Sequence, residues 1–126
     1  MRAALFFSAL FALVALVLAR SERISGTLNK DSSITSFSVR RTTSRTGDIV
    51  LKLDNFPDCV WRNLKIRVNP VNKPAFDWRT WVYGTDVVEF IIGNDVLAGT
   101  TFTLDGKLEP AVGSRCNTNF GGVLTY

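Results

Sequence analysis

The chain has 126 residues, with 15 Lys plus Arg against 11 Asp plus Glu, and no histidine. That length holds one domain with a modest hydrophobic core. The lack of histidine excludes Ser-His-Asp and Cys-His nucleophile systems and the common imidazole acid–base mechanisms. A net charge of +4 is compatible with anionic partners but does not demand them.

Residues 1–19 read as a signal-peptide helix. Arg2 precedes an apolar run from Ala3 to Ala19 that only Ser8 interrupts, and Val17 and Ala19 sit as the small residues before a cut at Arg20. The competing reading is an uncleaved anchor, for which the run is a little short of the ~20 residues a spanning helix prefers. Cleavage leaves residues 20–126 as one secreted domain and lowers the side-chain charge from +4 to +3.

The exported part reads as strands almost throughout. Ile24–Leu28 is a short strand. Ile34–Arg41 alternates, with Thr35, Phe37 and Val39 on one face and Ser36, Ser38 and Arg40 on the other. Thr42–Gly47 is a polar turn region. Ile49–Leu53 turns Ile49, Leu51 and Leu53 one way and Val50 and Lys52 the other. Asn63–Asn69 repeats the pattern, with Leu64, Ile66 and Val68 inward and Lys65 and Arg67 outward. This period of two marks half-buried antiparallel strands.

Asn69–Pro74 is a loop stiffened by two prolines. Trp78–Tyr83 follows as an aromatic strand, with Arg79, Trp81 and Tyr83 on one face and Trp78, Thr80 and Val82 on the other. Gly84-Thr85-Asp86 gives a turn, Val87–Ile92 a strand expected near a sheet centre, and Gly93-Asn94-Asp95 its break. Thr100–Leu108 alternates again, and Phe120–Tyr126 closes the chain. Short strands with frequent turns predict an all-β, small antiparallel β-sandwich of immunoglobulin-like or jelly-roll type.

Cys59 and Cys116 are the two cysteines, and an oxidising compartment joins them. Their surroundings suit a bond that pins a loop rather than one that crosses the core. No CxxC spacing and no histidine leave no expected metal site, and no cofactor is indicated.

The sequence points to a non-catalytic binding module. Its expected contacts are Trp78, Trp81 and Tyr83, which stack on sugars or anchor a protein. Arg40, Lys52, Lys65 and Arg67 would form one basic sheet face. The partner classes are a glycan, an anionic surface or an extracellular protein; nucleic acid is not expected for an exported chain without aromatic-rich binding motifs. A membrane partner enters only if the leading segment stays uncleaved. The rival readings are a secreted toxin, effector or inhibitor that docks through the stiff loop, and a carboxylate hydrolase using Glu89, which lies inside VVEFII.

Overall fold

The computed structural model describes residues 18–112 and 115–126. The signal-peptide reading falls almost wholly outside them. Eight strands carry the chain: β1 (Ser21–Thr27), β2 (Thr35–Thr42), β3 (Gly47–Asn55), β4 (Asn63–Pro70), β5 (Arg79–Trp81), β6 (Glu89–Val96), β7 (Thr101–Glu109) and β8 (Asn119–Thr125). Each strand matches an expected one to within a few residues at either end.

The strands form two four-stranded antiparallel sheets, β1-β8-β3-β6 (sheet I) and β2-β7-β4-β5 (sheet II). The pairing has a simple logic. β1 pairs with β8, β2 with β7, β3 with β6 and β4 with β5, so the first half of the chain folds back along the second. Two further pairings, β3 with β8 and β4 with β7, roll this long hairpin into two layers. That is the eight-stranded jelly roll. An immunoglobulin-like order would set the sheets as ABED and CFG, which this is not.

The alternation read from the sequence supplies the filling. Ile49, Leu51 and Leu53 from β3, Leu64, Ile66 and Val68 from β4, and Phe102, Leu104 and Leu108 from β7 all point between the sheets and are buried. Each such side chain contributes about 2 kcal/mol by leaving water. Phe37 packs edge-on to Phe120 with centroids 5.2 Å apart, tying β2 to β8 across the layers.

Two strand expectations need correction. β6 does not stop at Gly93 but runs to Val96. Its register against β3 shifts between Gly47 and Ile49, and Asp95 takes a left-handed φ of 49°. The extra residues are absorbed as a bulge, with the Asp48 carboxylate accepting from the Asp95 N–H at 3.0 Å. β6 is also an edge strand, not a central one, with Glu89 and Ile91 exposed. Glu89 stands opposite Lys52 in the register, as a solvated edge residue does.

The Cys59–Cys116 disulfide is present and joins the β3–β4 loop to the β7–β8 loop. It pins loops at one end of the sandwich. The β1–β2 and β5–β6 loops lie at this same end. Residue 20 and the last residue meet at the other end, where Arg20 and Tyr126 exchange both backbone hydrogen bonds at 2.7 and 2.8 Å.

Candidate functional site

The outer face of sheet II carries the densest chemistry. β7 and β4 are its inner strands, so their outward residues have neighbours on both sides. The register sets up cross-strand rows: Asn63 opposite Glu109; Thr80, Lys65 and Lys107; Arg67, Asp105 and Ser36; Asn69, Thr103 and Arg40. Every member is polar or charged. Neighbours in such rows sit close enough to interact directly.

Asp105 is the anchor. Its side chain is 3% exposed, although it belongs to the outer face. Arg67 Nε donates to Oδ2 at 3.0 Å, and Ser36 Oγ donates to Oδ1 at 3.0 Å. A buried carboxylate is tolerated only with such partners. Glu109 takes two more cations: Lys107 Nζ at 2.7 Å and Lys65 Nζ at 3.0 Å. The hydrogen bonds from Lys107 and then Lys65 hold the Glu109 carboxyl below its ordinary range, against a smaller opposing effect of burial.

Trp78 lies over this face from the segment entering β5. Its ring centroid is 4.2 Å from the Arg67 guanidinium carbon and 4.7 Å from Lys107 Nζ. Both cations are thus fixed twice, by a carboxylate and by an indole. Beyond Lys65, an open depression of about 460 Å³ is bounded by Ser32, Asn63, Lys65, Glu109, Pro110 and Ala111. Among the described residues no cluster of three His, Cys, Asp or Glu side chains could hold a metal ion.

The contacts expected from sequence divide three ways. Trp78, Lys65 and Arg67 come together here. Arg40 shares the outer face but stands on the edge strand β2, with β7 between it and β4. Lys52 does not belong: it projects from β3 in sheet I, on the opposite side of the molecule. The single basic face is therefore not formed, because identical alternation in β3 and β4 carries them into different layers.

The aromatic cluster divides as well. Trp81 is only 4% exposed and stacks on Phe56 at 5.0 Å, which makes it core. Tyr83 packs edge-on to Trp81 at 6.1 Å and is half-buried. The stiff loop lies at the far end of the sandwich; Asn69 and Pro70 belong to β4, and Asn72 has a left-handed φ of 61°.

Sequence reasoning missed Trp61. It lies in the turn Cys59–Arg62, closed by the Arg62 N–H donating to the Cys59 carbonyl at 3.0 Å. Its indole is 79% exposed. The available signal was its place: an aromatic residue two positions from a disulfide cysteine, outside every alternating segment. Comparison with known protein families, characterised proteins and solved structures gives no match.

Proposed function

We propose that this is a secreted, non-catalytic module that binds a neutral glycan on the outer face of sheet II. One observation carries the reading: an indole held over two cations on a sheet face made otherwise of hydrogen-bonding side chains. A glycan offers both complements, an apolar ring face for stacking and hydroxyls for the charged groups.

Charge selects against a strongly anionic ligand. Lys65, Arg67 and Lys107 already face Asp105 and Glu109, so these five groups sum to only +1, and Arg40 on the edge strand β2 brings the face to +2. Its lysines and carboxylates are instead ordered donors and acceptors. Secretion fits the apolar leader and the disulfide, which oxidising compartments favour.

The non-catalytic reading rests on spacing and protonation. Asp105 and Glu109 are four residues apart on one strand, hence ~13 Å along it. Paired glycosidase carboxylates stand ~5–10 Å apart. Glu109, pulled toward its ionised form by two lysines, is also a poor proton donor at neutral pH.

Affinity electrophoresis through gels containing neutral polysaccharides tests the proposal. The wild-type chain should be retarded by at least one β-linked glucan or N-acetylglucosamine polymer, and Trp78→Ala should migrate as in a blank gel. Equal retardation of the two proteins refutes the assigned face.

A further inference from the structure

Trp61 is the most exposed large apolar residue described, and its neighbour Val60 is 56% exposed. Its φ of 61° lies in the left-handed region. In a turn closed between residues 59 and 62 that position favours glycine or asparagine, and a bulky aromatic residue is strained there.

The surroundings hold it in place. Cys59 is tied to Cys116, and the Asp58 N–H donates to the Asn117 carbonyl at 3.0 Å. Arg62 Nε donates to the Ala111 carbonyl at 3.0 Å, and its Nη1 to the Val60 carbonyl at 3.4 Å. An indole kept in a strained conformation, with its backbone fixed on both sides, contributes no core packing in return. Strain retained in this way points to use.

Its position relates it to the site above. Trp61 precedes Asn63 by two residues, and Arg62 between them reaches Ala111; Asn63 and Ala111 both border the depression beside Lys65 and Glu109. Asn63 to Arg67 spans ~13 Å of strand. Trp78 covers the Arg67 end and Trp61 lies in the turn just before the Asn63 end, so this ~13 Å stretch of β4 separates the residues that carry the two indoles.

We propose that Trp61 is a second stacking platform and that the ligand is an extended linear polysaccharide running from Trp78 across the depression to Trp61. This rests on the glycan reading of the sheet II face. A platform carried on a fixed backbone has no loop to order on binding, which is what the locked turn provides.

Calorimetric titration of the full chain with β-1,4-linked glucose and N-acetylglucosamine oligomers, from two to six units, tests it. Wild-type affinity should rise with length. Trp61→Gly should leave the shortest binding oligomer unaffected and weaken the longest about tenfold. Trp61→Phe, which keeps an aromatic ring on the same backbone, should recover much of that loss. Glycine suits the turn, so Trp61→Gly should fold and melt at or above the wild-type temperature. If Trp61→Gly changes no affinity while Trp78→Ala abolishes binding, the extended track is wrong and the sheet II site stands. If neither variant changes binding, or no oligomer binds, both readings fall. Equal weakening at every length also overturns the track, because it denies Trp61 a remote place.

Discussion

Breaking the Arg67–Asp105 pair should destabilise the fold far more than replacing both partners. The two groups are 3.0 Å apart, with side chains 24% and 3% exposed. At an effective dielectric of about 20, their gross attraction is about 5 kcal/mol, much of it offset by the loss of hydration. Arg67→Met leaves the Asp105 carboxylate buried with only the Ser36 hydroxyl as a donor. The expected cost is about 3 kcal/mol, most of it the price of an unpaired buried charge. Arg67→Met combined with Asp105→Leu removes the charge as well, and should recover at least half of that loss. Urea unfolding followed by circular dichroism supplies all four corners of the double-mutant cycle. Fluorescence is a poorer probe because Trp78 sits on Arg67. A cost below 0.5 kcal/mol for Arg67→Met, or strictly additive variants, would refute the view that β7 holds its buried carboxylate through β4.

Gly122 lies in β8 between β1 and β3, and an added Cβ would fall 2.2 Å from the Lys52 carbonyl oxygen and 2.9 Å from its carbon. Gly122→Ala should therefore force β3 away and cost about 3 kcal/mol, whereas Gly121→Ala, whose nearest contact is 3.3 Å, should cost much less; thermal melts compare them. Reducing Cys59–Cys116 reopens a loop of 57 positions and should lower stability by about 4 kcal/mol, read as a drop in the urea midpoint on adding reductant. Glu109 has a folded-state pKa depressed by Lys107 and Lys65, so its stabilising effect is present above the unfolded carboxylate pKa of about 4.3 and is lost as pH falls through the folded value. Glu109→Gln should accordingly flatten the acid limb of a stability–pH curve, and an unchanged limb would contradict the pairing.

Local residue pattern and global pairing were not equally legible in the sequence. The alternation in β3, β4 and β7 revealed which side chains face inward, because a half-buried strand imposes that period on its residues. It says nothing about which strand lies alongside. Lys52 and Lys65 occupy equivalent places in look-alike strands, yet lie on opposite sides of the sandwich. Gly93-Asn94-Asp95 resembles a turn because the same residues that permit turns also permit a bulge. Alternation set Trp78 and Trp81 on opposite faces of one aromatic run but not which face is covered; the packing of the sheets puts Trp81 against Phe56 and leaves Trp78 over Arg67. Trp61 escaped notice because its importance comes from exposure and a left-handed φ, neither of which any periodicity reveals.

The most direct measurement is amide and indole chemical-shift mapping of the isotope-labelled chain during titration with a β-1,4-linked glucose or N-acetylglucosamine hexamer. Shifts should concentrate at Asn63, Lys65, Arg67, Thr80 and Lys107 and at the Trp78 indole, leaving Lys52 and the rest of the sheet I face unmoved. Shifts centred on sheet I, or none with either hexamer, would contradict the assignment of the binding face.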